Sequence, residues 1–171
     1  MENLVEVKNL KKKYGSKEAV KGISFNIKEN EILGLLGPNG SGKTTTIGMI
    51  LGLLKPSNGE ILIDGKKIEE NRIETLQKIN FISPYVELPK KLTVKQNLIV
   101  YCKLYNVSDI KNRIEYLVEK LRLEDLLNRV TGELSSGQKN RASLAKALIN
   151  NPTLLFLDEP TASLDPEIGD F

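Results

Sequence analysis

The sequence contains no histidine, and it has only one cysteine, Cys102. A lone cysteine excludes a disulfide within the chain and fits a reducing compartment. No apolar run approaches the roughly 20 residues that a membrane-spanning helix needs. The N-terminus also lacks the basic and apolar regions of a signal peptide. Any link to a membrane is therefore expected to go through a partner.

The composition is that of an ordinary globular domain. The 171 residues are 40% hydrophobic and 27% charged, which argues against disorder and suffices for one domain with a core. The net charge is only +3, and lysines cluster locally, as at Lys11–Lys13. Such a cluster is more typical of a solvated face than of a nucleic-acid surface, so no nucleic-acid partner is expected.

The hydrophobic pattern predicts an α/β fold. Alternating residues at 4–8 and 20–27 are typical of half-buried strands, which we assign to an N-terminal β subdomain. Continuous apolar runs at Ile32–Leu36 and Leu154–Leu157 predict strands buried on both faces, as in a parallel sheet,. A helical block from about residue 90 to 140 is expected as an insertion,.

A glycine-rich loop is the strongest motif, and it reads Gly37-Pro38-Asn39-Gly40-Ser41-Gly42-Lys43-Thr44. It matches G-x-x-x-x-G-K-[ST] between a predicted strand and a predicted helix. In such a loop, backbone N–H groups and the helix N-terminus surround phosphate oxygens. We therefore expect Lys43 to reach the phosphates of ATP, Thr44 to bind Mg²⁺, and Thr45 to contribute to nucleotide binding.

A second motif follows the apolar run Leu154–Leu157, as the acidic pair Asp158-Glu159. It has the form of a Walker B strand. Asp158 is expected to hold Mg²⁺, and Glu159 is expected to be the catalytic base that polarises the attacking water. The alternative is a solvated strand end, but the upstream phosphate loop requires a metal partner and favours the functional interpretation.

A third segment reads Leu134-Ser135-Ser136-Gly137-Gln138 and precedes a predicted amphipathic helix. Taken alone it is a good helix N-cap. Its position before the acidic strand resembles the ATP-binding cassette (ABC) family, whose signature is Leu-Ser-Gly-Gly-Gln. Ser136 stands here in place of the first glycine. The stretch from Asp158 to Asp165 also resembles that family's D-loop region.

The resemblance implies a fold and a mechanism for the whole chain. Residues 1–171 would form one ABC ATP-binding domain, with a P-loop NTPase (RecA-like) core, an antiparallel β subdomain and the helical insertion. Tyr14 would stack on adenine, although simple packing is the alternative. In this family two cassettes bind ATP between them, so Ser135, Ser136, Gly137 and Gln138 would contact nucleotide held by a second cassette.

The implied function is that of an ATP-hydrolysing subunit of an ABC transporter. It would act in the cytoplasm, at the inner face of the membrane, with permease subunits as partners. One alternative is an ATP-binding, dimerising module with little or no hydrolysis. Another is a non-transport ABC protein acting on DNA or ribosomes. The sequence does not reveal a transported substrate.

The sequence departs from the family pattern at several points. Pro84 stands where the family has a glutamine that touches Mg²⁺, and proline offers no side-chain acceptor,. The family's switch histidine has no counterpart in the chain, which ends at Phe171. We therefore expect a cassette that is incomplete at its C-terminus, with exposed apolar sheet surface that favours aggregation or partner binding.

Overall fold

The computed structural model describes residues 3–83 and 86–158. They fall into two compact units, which divide between Leu76 and Gln77. Before residue 78 the elements are β1 (Asn3–Tyr14), β2 (Lys17–Lys28), α1 (Lys43–Ile50), β3 (Asn58–Ile63), β4 (Lys66–Lys67) and α2 (Arg72–Gln77). After it they are β5 (Ile79–Ile82), α3 (Val94–Leu104), α4 (Ile110–Lys120), α5 (Ser136–Leu148) and β6 (Leu154–Leu157), with short 3₁₀ turns at Glu124–Leu126 and Thr131–Glu133.

The first unit is built on an antiparallel sheet with strand order β2-β1-β3-β4. The central strand β1 places Val5 opposite Ile63 and Val7 opposite Ile61, and these side chains are buried. Alternate residues of a strand point to opposite faces, so the apolar set of β1 lies on one side. The predicted N-terminal antiparallel β subdomain is thereby confirmed.

The predicted buried strand at Ile32–Leu36 is wrong. Residues 31–38 belong to neither described sheet, and the side chains of Ile32 and Leu36 are 99% and 96% exposed. A strand buried on both faces requires hydrogen-bonded neighbours on both edges, and an apolar run alone does not provide them.

The second unit combines a parallel strand pair with packed helices. Strands β5 and β6 run parallel, with Phe81 opposite Phe156, which agrees with the expected α/β class. The helices share one apolar core formed by Leu88, Val94, Leu98, Cys102, Ile114, Leu117, Val118, Leu121, Leu123, Leu126, Leu134, Ala142, Ala145 and Ile149. Burial raises the pKa of the Cys102 thiol, so the cysteine is a core residue.

The helix starts follow from local sequence. Thr93 closes a capping box with Gln96 at the start of α3, and the Asp109 side chain caps α4. Side-chain oxygens at these positions accept hydrogen bonds from N–H groups that have no partner within the helix. Within residues 3–83 and 86–158, no helix is long and apolar enough to cross a membrane.

Candidate functional site

The glycine-rich loop lies in the first unit and leads directly into α1. Gly40 and Gly42 have φ angles of 81° and 95°, in the left-handed region where glycine carries little steric cost. A Cβ atom at Gly42 would lie 2.5 Å from the Ala19 carbonyl oxygen. Glycine is therefore required at position 42 for two reasons, the left-handed φ angle and the close approach of the Ala19 backbone.

The N-terminus of α1 has features of an anion site. Gly42 occupies the N-cap position and supplies no side-chain cap, and the first turn of the helix has no acidic residue. The first N–H groups of a helix have no partner within it, and the helix dipole makes this end attractive to negative charge. The sequence thus leaves these donors to an anion such as a phosphate group.

Lys43 adds a positive charge at the same helix end. Its Nζ donates to the carbonyl oxygens of Gly37 at 2.7 Å and Pro38 at 3.1 Å. No ion pair joins it to an acidic residue in the part of the chain that the structure describes. Because carbonyl oxygens only partly offset an ammonium charge, Lys43 retains the capacity to bind phosphate. The exposed Thr44 hydroxyl lies in the same turn.

Tyr14 lies at the tip of the β1–β2 hairpin, paired with Lys17 across the turn. Its side chain is 49% exposed. The Lys12 ammonium lies 5.2 Å from the ring centroid and donates to the Lys55 carbonyl oxygen at 2.6 Å. The ring is thus an accessible aromatic face steadied by a cation, as a base-stacking residue would need.

The signature-like segment lies at the start of α5 in the second unit. Ser135 is the N-cap, and it forms a capping box in which Gln138 N–H donates to Ser135 Oγ at 3.3 Å. In return, Ser135 N–H donates to Gln138 Oε1 at 3.0 Å. Ser135 and Ser136 are exposed and Gly137 is half-buried. The segment therefore caps α5. The exposed residues Ser135 and Ser136 also lie at the helix N-terminus, where an anion would be favoured.

Asp158 follows the carboxyl end of β6 and is buried to 9% exposure. Its N–H donates to the Ile82 carbonyl oxygen at 2.9 Å, which extends the β5–β6 ladder past the strand end. Glu159, Pro84 and the predicted D-loop residues lie outside the described residues. The placement of the expected catalytic base and of the proline substitution is therefore left as a sequence prediction.

The residues present suit a magnesium nucleotide. The first unit offers the Thr44 hydroxyl and the second unit offers the Asp158 carboxylate. Both are hard oxygen donors, which Mg²⁺ prefers, and Mg²⁺ is usually held by few protein ligands together with phosphate and water. No cluster of three or more histidine, cysteine or acidic side chains capable of holding a metal occurs among the described residues.

The sequence analysis missed a buried polar network around Lys146 and Asn80, both of which are nearly inaccessible to solvent. A signal was present, because Lys146 lies between the apolar helix positions Ala142, Ala145 and Ile149. A lysine inside the buried stripe of an amphipathic helix is rarely left without a partner.

Comparison with known proteins identifies relatives over nearly the whole chain. A family profile described as ABC transporter matches residues 20–162. The Nod factor export ATP-binding protein I of Burkholderia orbicola (strain AU 1054) is 40% identical over 165 residues, covering 95% of this chain and 54% of the relative. The bacitracin transport ATP-binding protein BcrA of Bacillus licheniformis is 40% identical over 169 residues, covering 97% and 54%.

A solved structure agrees with these relatives. A dimeric ATP-binding cassette in a post-hydrolysis state, bound to ADP and Pi, superposes with a TM-score of 0.85 at 31% identity, covering 97% of this chain and 78% of that one. The chain spans about half the length of the curated relatives it matches, at 54%.

Proposed function

The chain belongs to the ABC transporter family, and on that premise we propose that it binds and hydrolyses Mg-ATP to power transport through partner transmembrane subunits. The observation that carries the proposal is the phosphate loop. There, α1 begins at a left-handed glycine without a side-chain cap, and Lys43 lies beside it without a described acidic partner. Without a bound anion, the N–H groups of the first helical turn would have no acceptor within the helix, and the positive end of the helix dipole would have no negative partner.

Phosphate binding is assigned to the first unit. Backbone N–H groups of the loop from Gly37 to Thr45, except at Pro38, which has none, surround the phosphates. Lys43 exchanges its carbonyl partners for β- and γ-phosphate oxygens. This exchange replaces hydrogen bonds from an ammonium to neutral carbonyls with stronger ones to anionic oxygens. The exposed ring of Tyr14 stacks on the adenine base.

Metal binding and water activation are assigned to Thr44, Asp158 and Glu159. The Thr44 hydroxyl and the Asp158 carboxylate would each serve as an oxygen ligand to Mg²⁺, and the ion would neutralise charge on the phosphates. Glu159 orients the attacking water and accepts its proton. These roles are supported by the residue types and by the family.

A second cassette completes the proposed site. Ser135, Ser136, Gly137 and Gln138 of one copy contact the γ-phosphate held by the other copy, using a hydroxyl and the α5 N-terminus. The dimeric cassette bound to ADP and Pi, to which this chain is similar, supports a paired arrangement. We place the working protein in the cytoplasm, at the inner face of a membrane, with permease subunits as partners.

A second candidate function is an ATP-binding, dimerising module that hydrolyses slowly or not at all. The observation in its favour is Pro84, which replaces a side-chain acceptor with a residue that has neither side-chain acceptor nor N–H,. ATP-dependent dimerisation without turnover would support this candidate.

The experiment that tests the proposal is Mg-ATP hydrolysis by the purified chain, with Glu159→Gln as the key variant. Glu115→Gln is the matched control, because Glu115 is exposed on α4 and far along the chain from the acidic strand end. Turnover that is lost only in Glu159→Gln, while ATP binding is kept, supports the enzyme. ATP binding without turnover in all three proteins favours the binding module, and absence of ATP binding overturns both.

A further inference from the structure

Lys146 is buried in the second unit, with 7% of its surface exposed. Its Nζ donates at 3.2 Å to the Asn80 Oδ1 atom and at 3.2 Å to the Phe81 carbonyl oxygen. The ammonium also lies 4.8 Å from the centroid of the Phe81 ring and 5.3 Å from that of Tyr101. Helix α5 is thus joined through this side chain to both β5 and α3.

Stability alone does not account for this lysine. Burial lowers the pKa of the Lys146 ammonium, and no acidic side chain of residues 3–83 and 86–158 forms an ion pair with it. Replacing a buried charge with a well-packed apolar side chain is often neutral or stabilising. Keeping a cation here therefore points to a role in specifying geometry, with the aromatic rings and carbonyl oxygens as its only described partners.

The network fixes the lysine from the strand side. Asn80 is 1% exposed, and its Oδ1 accepts from both Lys146 Nζ and Phe81 N–H. Its Nδ2 donates to Asn150 Oδ1 at 2.9 Å. The Phe81 N–H holds Oδ1 from within β5 itself, so the Lys146 ammonium has a defined acceptor,.

The same lysine lies between two segments with proposed roles. Strand β5 continues from Phe81 to Ile82, whose carbonyl oxygen accepts the Asp158 N–H. Helix α5 begins at Ser136, with Ser135 as its N-cap. Lys146 is therefore a polar link between the helix that Ser135 caps and the strand pair whose end precedes Asp158.

We propose that Lys146 is a positioning residue that holds α5 against the end of the β5–β6 pair, so that Asp158 is aligned for magnesium. The inference rests on the proposed function, because it assigns Asp158 to the metal. Loss of the lysine would weaken the part of nucleotide affinity that depends on Mg²⁺. Affinity for ATP without Mg²⁺, assigned to the phosphate loop of the first unit, would be kept.

The test compares ATP affinity with Mg²⁺ and with EDTA in the full chain for Lys146→Met, Lys146→Arg and Asn150→Ala. Asn150→Ala is the matched control, because it removes the acceptor of the Asn80 Nδ2 group and a donor to the Gln77 carbonyl oxygen, and leaves both Lys146 hydrogen bonds to β5. We expect Lys146→Met to lower the gain in affinity from Mg²⁺ by about tenfold, as for other residues that support metal ligands. Lys146→Arg should restore part of it, and Asn150→Ala should keep it.

Hydrogen exchange without nucleotide separates this inference from the proposed function. Lys146→Met should speed exchange of the Asp158 amide and of residues 135–139, whereas Asn150→Ala should not. If the wild-type chain fails to bind ATP, the proposed function fails while exchange still tests the link. The positioning role would be overturned if Lys146→Met and Asn150→Ala had equal hydrogen-exchange rates and an equal gain in ATP affinity from Mg²⁺. This holds even if both variants were less stable than the wild type.

Discussion

Lys43 Nζ donates a hydrogen bond of 2.7 Å to the carbonyl oxygen of Gly37, within the loop that the lysine itself closes. The Lys43 ammonium is therefore hydrogen-bonded to a neutral acceptor close to the N-terminus of α1. A carbonyl is a weaker partner than a phosphate oxygen, so binding of ATP would draw the ammonium away from Gly37. The contact between Lys43 and the Gly37 carbonyl oxygen thus holds the ammonium close to the expected phosphate position.

Replacing Lys43 by Ala should weaken ATP binding without unfolding the chain. The loss should be about tenfold to hundredfold, because hydrogen bonds to charged groups contribute about 1.5–3 kcal/mol. Calorimetric titration with ATP would measure it. The change in unfolding free energy should stay near 1 kcal/mol, since the bonds of Lys43 are exposed,. Lys91→Ala, at an exposed turn, controls for the loss of one positive charge, and equal affinity in both variants would contradict the assignment.

Replacing Tyr14 by Ala should weaken binding of ATP but leave binding of inorganic triphosphate unchanged. Stacking of a base on an aromatic ring contributes about 1–3 kcal/mol, and triphosphate has no base to stack. Tyr14→Phe keeps the ring and should bind ATP nearly as well as the wild type. Because the ring is 49% exposed, the thermal midpoint should change little in either variant. A parallel loss for ATP and triphosphate would mean that Tyr14 acts through the loop instead of through the base.

Substitutions at Ser135 can separate its two roles. Ser135→Ala removes the cap of α5 and should lower stability by about 1 kcal/mol, whereas Ser135→Asp keeps a good N-cap. The carboxylate of Ser135→Asp should nevertheless repel a γ-phosphate and suppress ATP-dependent dimerisation and turnover more strongly than Ala does. Chemical unfolding and light scattering would measure the two effects. If Ser135→Asp hydrolysed ATP as fast as the wild type, Ser135 would act as a helix cap only and would not contact the γ-phosphate.

Local features were predictable because they depend on neighbours in sequence. The cap at Ser135 follows from a side-chain oxygen placed before a helix, and the structure has it. The phosphate loop was recognisable for the same reason, since its glycines and Lys43 act within one short segment. The roles of the individual site residues stay predictions.

Features that depend on distant segments were not predictable in the same way. Ile32–Leu36 has the composition of a buried strand, but strand pairing is provided by other parts of the chain. Lys146 stands among apolar positions of α5, but its partners Asn80 and Phe81 are far away in sequence and cannot be identified from the local pattern. The periodicity of the sequence predicts which face of a helix is apolar. It does not predict which polar groups of distant segments contact that face.

Asn97 should tolerate Ala better than the nearly isosteric Asp. Its Nδ2 donates to the Pro89 and Thr93 carbonyl oxygens at 3.2 Å and to Thr131 Oγ1 at 2.8 Å. Asn97→Ala removes these hydrogen bonds at a cost of about 1–3 kcal/mol, while the Pro89 and Thr93 carbonyl oxygens keep backbone N–H donors,. Asn97→Asp replaces the donor with an oxygen facing the same carbonyls and adds a buried charge, so its loss should be larger. Urea unfolding would rank them, and an Asp variant as stable as the wild type would contradict this account.

The buried lysine also predicts how stability changes with pH. Burial lowers the pKa of Lys146 from its ordinary value of 10.5. Between the lowered value and 10.5 the unfolded chain binds the proton and the folded chain does not. Stability therefore rises with pH across this window, and below it the contribution is constant. The wild type should gain stability relative to Lys146→Met as pH is raised through that window.

The comparison uses urea unfolding of the wild type and Lys146→Met at several pH values from about 7 to about 10.5. Taking the difference between the two proteins removes the titration of every group that they share, including Tyr105, whose pKa burial raises. Lys91→Met controls for losing a lysine from an exposed turn. A difference that stays flat or falls with pH would mean that the ammonium is stabilised inside the protein at least as well as in water. In that case Asn80, the Phe81 carbonyl and the two rings would together replace its hydration.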